Sequence, residues 1–171
     1  GDNDTTYEYN ATNKHTPGVT NVKVTKTFSD DNNRDGVQPT SVTVQLYKDG
    51  VAEGSPVTLD TNNSWTYTWE NLPKYKLKAD NTASAIGYEV YEYNETGTNT
   101  KLPSGGAFNS NYKVSYATAT KNYNPTSPAT NNDNKVLDTT VTNTHTPEKI
   151  KLNVSKTWTD GSNQDGIRPT T

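Results

Sequence analysis

The chain has 171 residues, of which 28% are apolar, whereas typical globular domains carry roughly 45–50%. The net charge of −3 is too small to indicate a nucleic-acid-binding surface or charge-driven disorder, and no apolar run of about 18 residues could form a membrane span. Cysteine is absent and the two histidines lie far apart, which excludes disulfides and argues against a metal centre. The composition predicts a thin core, no cofactor, and a need for some further source of stability.

Two segments near the ends of the chain are copies of each other. Residues 13–40 and 143–170 align without a gap at an offset of 130, and both contain a His-Thr-Pro motif, a Val-x-Lys motif and an Asp-Gly pair. We therefore divide the chain into the tail of a preceding module (1–17), one complete module (18–147) and the head of a following module (148–171). A parent protein built as a tandem array is predicted.

Within the complete module, short segments alternate polar and apolar residues with a period of two, which is typical of half-buried strands. The first runs from Val22 to Phe28 and the last from Leu137 to Asn143. About seven to nine antiparallel strands are expected, which predicts an all-β fold, an Ig-like or prealbumin-like β-sandwich. Between these two segments the sequence predicts strands near 42–46, 57–59, 65–69, 75–77, 88–92 and 112–116, a tight turn at Asp49-Gly50, and long surface loops or extended hairpins at 94–111 and 118–135.

Three polar residues fall on the predicted core faces. Lys26 follows Val22 and Val24 at even spacing, so its side chain is expected to point inward. By the same alternation, Glu92 shares a face with Val90, and Asn143 shares a face with Val141. A buried ammonium, carboxylate or amide is costly alone, so the three are expected to satisfy one another or to react.

Burial would supply the chemistry for a reaction. Desolvation lowers the pKa of a lysine and raises that of a glutamate, which favours a neutral amine and a protonated acid. The Lys26 amine could attack the Asn143 side-chain amide, while Glu92 polarises the carbonyl and passes a proton to the departing ammonia. The product would be an amide bond between Lys26 and Asn143, formed once per molecule. The alternative is a buried Lys26–Glu92 salt bridge, with Asn143 as a hydrogen-bonding neighbour.

The module resembles the B-type domain of the Cna collagen adhesin family of Gram-positive surface proteins. The resemblance is carried by V-T-K-T-F at 24–28, N-R-D-G-V-Q-P-T-S-V at 33–42, W-T-Y-T-W-E-N-L-P at 65–73, Y-E-V-Y-E at 88–92 and V-T-N-T at 141–144. Phe28 and Gln38 replace a Trp and an Arg of the usual pattern. The following copy restores both, as Trp158 and Arg168.

The resemblance implies an intramolecular isopeptide bond between Lys26 and Asn143, promoted by Glu92. Asn13 and Lys156 would have the same roles in the flanking repeats. The implied function is a spacer module in the stalk of a cell-wall-anchored adhesin, extracellular and not an enzyme beyond its single self-crosslinking step. Its partners would be neighbouring repeats, with a host ligand bound through a distal domain. The alternatives are a module that itself binds a host glycan or matrix protein, and a pilin shaft subunit.

Four other groups of residues have patterns typical of functional sites. Asp31, Asn33 and Asp35 imitate the start of a calcium loop, but Val42 stands where a glutamate is needed, so an Asx-stabilised turn is favoured. Glu89 and Glu95 alternate to the face opposite Glu92, which argues against a paired-carboxylate glycosidase. The aromatic series Trp65, Tyr67 and Trp69 is interpreted as part of the core rather than as a carbohydrate-binding surface. His15 and His145 are interpreted as linker residues between modules.

Overall fold

A computed structural model describes residues 7–96, 100–122 and 132–169, with backbone alone at 122 and 132–134. The described residues form nine strands and no helix, so no helix there could cross a membrane. The nine strands are β1 Val19–Ser29, β2 Ser41–Lys48, β3 Val51–Asp60, β4 Thr66–Pro73, β5 Tyr75–Leu77, β6 Ala83–Ala85, β7 Tyr88–Glu92, β8 Lys113–Asn122 and β9 Asn132–Thr144.

The strands form two packed sheets and a short ribbon. One sheet has the order β4-β1-β9-β8, the other has the order β3-β2-β7, and β5 pairs with β6. The predicted all-β, Ig-like sandwich is confirmed, with one difference: β1 and β9 pair in parallel, whereas all strands were expected to be antiparallel. Alternation of side chains shows which residues face the core but carries no information about strand direction. Because the first and last strands run the same way, the chain enters and leaves the module at opposite ends.

The core lies between the two sheets and follows the predicted alternation. Val22 and Val24 of β1 are fully buried, as are Val44 of β2 and Val141 of β9. The alternation breaks in β2, where Gln45 is also buried at a bulge and donates its amide N–H to Glu53 O at 2.8 Å. Further core residues are Val42, Leu46, Leu59, Tyr88, Val90, Leu102, Phe108, Tyr112 and Val114.

The aromatic series beside β4 is core only in part. Trp65 lies in the turn before the strand, with φ of 59°, and Trp65 and Trp69 are half-buried against the core. Tyr67 is 41% exposed, which corrects the interpretation of the series as a buried face. The reason is position, because β4 is the outer strand of its sheet and the opposing sheet does not cover all of it.

The two predicted turns are present. Lys48 pairs with Val51 around Asp49 and Gly50, whose φ angles of 49° and 83° are typical of a type I′ hairpin turn. In the loop after β1, Asp30 accepts a hydrogen bond from the Asn33 backbone at 3.0 Å, and Asn33 Oδ1 accepts one from the Gln38 backbone at 2.9 Å. The loop is therefore stabilised by Asx hydrogen bonds, as predicted.

The two polar stretches differ in structure. Residues 94–111 include the buried side chains Leu102 and Phe108, so this stretch packs on the core rather than lying on the surface. The stretch 118–135 is in part an extended hairpin, since β8 continues to Asn122 and β9 begins at Asn132. Residues 97–99 and 123–131 lie outside the described part of the chain.

Candidate functional site: a buried lysine, glutamate and asparagine

Strands from both sheets bring three polar side chains into the core. Lys26 lies in β1 opposite Val141, and Asn143 lies two residues further along the parallel neighbour β9, so both point to the same face. Glu92 ends β7 in the opposing sheet. Lys26 is 4% exposed, and Glu92 and Asn143 are 0% exposed. The predicted inward orientation is therefore confirmed for all three residues.

Glu92 contacts both of the other side chains. Its Oε2 lies 3.6 Å from Lys26 Nζ, and its Oε1 accepts a hydrogen bond from Asn143 Nδ2 at 2.8 Å. The Lys26 ammonium also donates to the backbone carbonyls of Thr27 at 3.1 Å and Val141 at 3.4 Å, and lies 4.5 Å from the centre of the Phe28 ring. The carboxylate thus lies between the amine and the amide.

Burial shifts the acid–base balance of this site towards its uncharged form. Desolvation lowers the pKa of Lys26 to about 8, against the opposing attraction of Glu92. Desolvation also raises the pKa of Glu92 above its ordinary value, although Lys26 and Asn143 both act to lower it. Transfer of one proton from Lys26 to Glu92 therefore produces a neutral amine beside a neutral acid.

Two oxygen atoms of the site are buried without a hydrogen-bond partner among the described residues, and a proton on Glu92 would change this. Glu92 Oε2 and Asn143 Oδ1 have no hydrogen-bond partner in the described structure while Glu92 is a carboxylate. A protonated Oε2 gains a donor, and Asn143 Oδ1 is a free acceptor on the amide that already contacts Oε1. Because Glu92 already contacts this amide through Nδ2, a protonated Glu92 is a candidate donor to the unpartnered carbonyl oxygen, and such donation would make the Asn143 carbon more electrophilic.

The predicted equivalents of Asn143 and Lys26 in the flanking repeats lie outside the buried site. Asn13 and Lys156 are both exposed, and the described segments 7–18 and 145–169 contain no strand. Lys156 Nζ lies 4.3 Å from the centre of the Trp158 ring, which repeats the contact between Lys26 and Phe28. The buried site of the complete module does not include either residue.

The other candidate sites have simpler explanations. Glu89 is exposed on the outer face of β7 and pairs with Lys101 at 3.5 Å, as expected for a solvated strand charge. Asp31 pairs with Arg34 at 2.8 Å, and Asp35 contacts His145. In residues 7–96, 100–122 and 132–169, no group of three or more His, Cys, Asp or Glu is placed to hold a metal ion.

One interpretation from sequence needs correction. His145 is more than a linker residue, because its side chain is only 12% exposed and its ring lies between Asn111, Asp35 and Tyr112. The signal that could have indicated this is in the repeat itself. The pair His145 and Asp35 recurs as His15 and Asp165, at equivalent positions of the two copies.

Comparison with known proteins agrees with this fold. The model of the Cna protein B-type domain matches residues 22–115. A collagen adhesin of Staphylococcus aureus is 37% identical over 158 residues, which cover 92% of this chain and 11% of that protein. A crystal structure of two B repeat units of the collagen-binding protein of S. aureus is 33% identical, with a TM-score of 0.59, and the match covers 90% of this chain and 32% of that one. The crystal structure of its single B1 unit matches at a TM-score of 0.45 and 33% identity, over 78% of this chain and 54% of that one.

The chain thus spans about a tenth of the adhesin that it resembles. Its family membership rests on the domain model, which covers more than half of the chain. The match to the two B repeat units, at a TM-score of 0.59, agrees with the observed sandwich of a three- and a four-stranded sheet. The chain belongs to the Cna protein B-type domain family.

Proposed function

We propose that residues 18–147 are a spacer module of a bacterial surface adhesin, stabilised by an isopeptide bond between Lys26 and Asn143. Residues 1–17 and 148–171 belong to the neighbouring repeats of the array. The parent protein is extracellular and anchored to the cell wall, and it meets a host ligand through a distal domain. The module has no turnover, because its one reaction consumes its own side chains.

The observation that carries this proposal is the buried contact of Glu92 with both Lys26 and Asn143. A structural salt bridge would need only Lys26 and Glu92. The asparagine adds a buried amide whose carbonyl oxygen lacks a partner, and an unpaired polar atom in a core costs roughly 1–3 kcal/mol. A reaction that uses this amide gives the buried asparagine a role that a salt bridge does not.

The reaction balances without a cofactor. Lys26 gives a proton to Glu92, and the neutral Nζ attacks Asn143 Cγ while protonated Glu92 donates to Oδ1. The new Nζ–Cγ bond forms, and Glu92, which has kept its proton in the hydrogen bond to Oδ1, gives that proton to Nδ2 and takes one of the two protons that remain on Nζ. The Cγ–Nδ2 bond then breaks, so the products are the amide, ammonia and a protonated Glu92. Packing of β1 beside β9 holds the reacting groups together, which supplies a high effective concentration.

The position of the bond suits a stalk under tension. Tension enters the module at Val19, where β1 begins, and leaves at Thr144, where β9 ends. Because β1 and β9 are parallel neighbours, pulling on the two ends shears one strand against the other. A covalent bond from Lys26 to Asn143 would carry that load directly, so the 116 residues between them would bear almost none of it.

A second function, ligand binding by the module itself, is favoured by one surface feature. A groove of about 620 Å³ is lined by β7, β8 and the loop before β8, and its walls include Tyr88, Tyr91, Lys101 and Tyr116. Its volume lies in the range of small-molecule sites. Binding of the purified chain to a glycan array or to matrix proteins, lost on Tyr91→Ala, would support this function. No binding by the wild type would count against it.

Intact mass of the purified chain tests the crosslink. Wild type is expected to be one ammonia lighter than its sequence mass, whereas Lys26→Met, Glu92→Gln and Asn143→Ala should have their full sequence masses. Lys156→Met and Glu89→Gln are the matched controls, since they change a lysine and a glutamate outside the buried site and should keep the deficit. Circular dichroism of each variant establishes that it is folded.

Peptide mapping locates the linkage, because a lone asparagine can also lose ammonia. A branched peptide joining Lys26 to Asn143 is expected. A wild type at full sequence mass, or an ammonia deficit that maps to any other residue, would overturn the crosslink. The Lys26–Glu92 ion pair would then be the whole role of the site.

A further inference from the structure

The chain that leaves β9 is held against the module by a set of polar contacts. His145 donates its backbone N–H to Ser29 O at 3.0 Å, its Nδ1 lies 3.0 Å from Asn111 O, and its Nε2 lies 3.0 Å from Asp35 Oδ2. The backbone N–H of Glu148 donates to the same Asp35 oxygen at 3.0 Å. We call His145, Asp35 and the Glu148 amide the exit clasp.

The geometry requires a protonated imidazole. A carbonyl oxygen accepts and cannot donate, so Nδ1 must carry a proton to bond with Asn111. In the neutral ring Nε2 would then direct a lone pair at the Asp35 carboxylate. Only the imidazolium satisfies both contacts, with one N–H for each oxygen. The clasp is therefore an ion pair as well as a pair of hydrogen bonds.

The other groups around the ring agree with a positive charge. Asp30 accepts from the Tyr112 hydroxyl at 2.8 Å, and the Tyr112 ring lies 5.3 Å from the imidazole. Arg34 is the cation on the same loop as Asp35, and it is engaged by Asp31 at 2.8 Å. The charged and titratable groups around the clasp are thus Asp30, Asp35, Tyr112 and Arg34, whose Nη2 also donates to the backbone oxygen of Glu148 at 3.5 Å.

We propose that the exit clasp fixes the direction in which the chain leaves one module and enters the next. One partner recurs on each side of the module: Asp165 and Gly166 of the following repeat match Asp35 and Gly36, and His15-Thr16-Pro17 ends the preceding repeat just as His145-Thr146-Pro147 ends this one. Each His-Thr-Pro segment would bind the Asp-Gly loop of the module that it leaves. This inference rests on the proposed function in treating the chain as part of an array.

The clasp should depend on pH in a defined direction. The hydrogen bond to Asp35 raises the pKa of His145 above its ordinary value of 6.5, so the stabilisation is complete below 6.5 and is lost as pH rises through the raised value. The hydrogen bond from His145 lowers the pKa of Asp35 below 3.8, so the same contact is lost as pH falls through that lower value. The exit segment is therefore held most firmly between about pH 4 and 6.5.

Hydrogen exchange of the Glu148 amide in the full chain tests the proposal. At pH 5.5 the protection factor should fall by about tenfold in His145→Gln and Asp35→Asn, as expected for one lost hydrogen bond. His15→Gln and Asp165→Asn alter the same motifs outside the clasp and should leave Glu148 protected. In wild type, raising the pH from 5.5 to 9 should produce the same loss, so the test stands even if a variant misfolds.

Unchanged Glu148 protection in both clasp variants and at pH 9 would overturn the proposal, as would an equal loss in the two controls. The Val24 and Val141 amides report whether the sandwich itself remains folded. Intact mass of the same samples reports the crosslink separately. A chain without the ammonia deficit but with a pH-dependent Glu148 amide would refute the proposed crosslink and leave the exit clasp supported.

Discussion

Asn143 donates its side-chain N–H to Glu92 at 2.8 Å in a part of the sandwich where neither residue is exposed to solvent. The two residues lie in different sheets, so this bond joins the layers as well as the side chains. Lys26 reaches the other oxygen of the same carboxylate. Loss of any one of the three residues leaves a buried polar partner behind, and would also remove the proposed covalent link.

Removal of the crosslink should cost a large share of the module's free energy of unfolding. The bond would close a loop of about 118 residues, for which chain entropy predicts up to roughly 5 kcal/mol. Asn143→Ala is therefore expected to lower the free energy of unfolding by about 3–5 kcal/mol, a large share of the 5–15 kcal/mol typical of domains. Guanidinium denaturation followed by intrinsic fluorescence measures this loss.

Asn13→Ala is the matched control for Asn143→Ala. Asn13 aligns with Asn143 in the repeat but is exposed. Its substitution should change the free energy of unfolding by less than about 0.5 kcal/mol. Equal losses for the two variants would contradict a stabilising role specific to the buried asparagine.

The hairpin between β2 and β3 depends on a left-handed backbone conformation at Gly50. Gly50 has φ of 83°, and a Cβ placed there would meet no atom within 4 Å, so Gly50→Ala tests conformation without a steric clash. We expect a loss of about 1 kcal/mol in thermal or chemical unfolding. Gly87→Ala serves as the comparison, because Gly87 has no positive φ and its added Cβ would make only an ordinary contact at 3.6 Å. A loss at Gly87 as large as that at Gly50 would argue against the turn explanation.

The buried Tyr112 hydroxyl should stabilise the fold near neutral pH, and this stabilisation should decrease at alkaline pH. It donates to Asp30 at 2.8 Å, so Tyr112→Phe leaves a carboxylate oxygen short of a donor, at a cost of roughly 1–3 kcal/mol near neutral pH. Burial, together with Asp30, raises the pKa of Tyr112 in the folded state above its ordinary value of 10. The unfolded chain therefore loses this proton first, and wild type should lose stability above pH 10 faster than Tyr112→Phe does.

Urea denaturation between pH 7 and 11 measures how the unfolding free energies of wild type and Tyr112→Phe change with pH. The difference in unfolding free energy between wild type and Tyr112→Phe should narrow above pH 10. Tyr91→Phe removes an exposed hydroxyl that bonds to Glu89, and is expected to cost less than about 0.5 kcal/mol. A gap between wild type and Tyr112→Phe that widens with pH would contradict the raised pKa.

Much of the site could be predicted from side-chain alternation. In a strand, residues two apart share a face, so the valines around Lys26, Glu92 and Asn143 indicated that all three point inward. Their mutual contacts could not be derived in this way, because alternation does not state which strands are neighbours. The cost of burying polar groups indicated either an ion pair or a reaction among them, and the family resemblance favoured the reaction. The structure adds that Glu92 contacts both of the other residues.

Short-range patterns in the chain were sufficient for most of the strands, the Asp49-Gly50 turn and the Asx-stabilised loop after β1, since each depends on a few consecutive residues. The three-residue strand β6 was not predicted. The parallel pairing of β1 with β9, the exposure of Tyr67 on an outer strand and the packing of His145 against Asp35 required the folded molecule. These features join residues up to 115 positions apart. Distant contacts depend on how whole sheets pack against each other, and the alternation of polar and apolar residues along a strand carries no information about that packing.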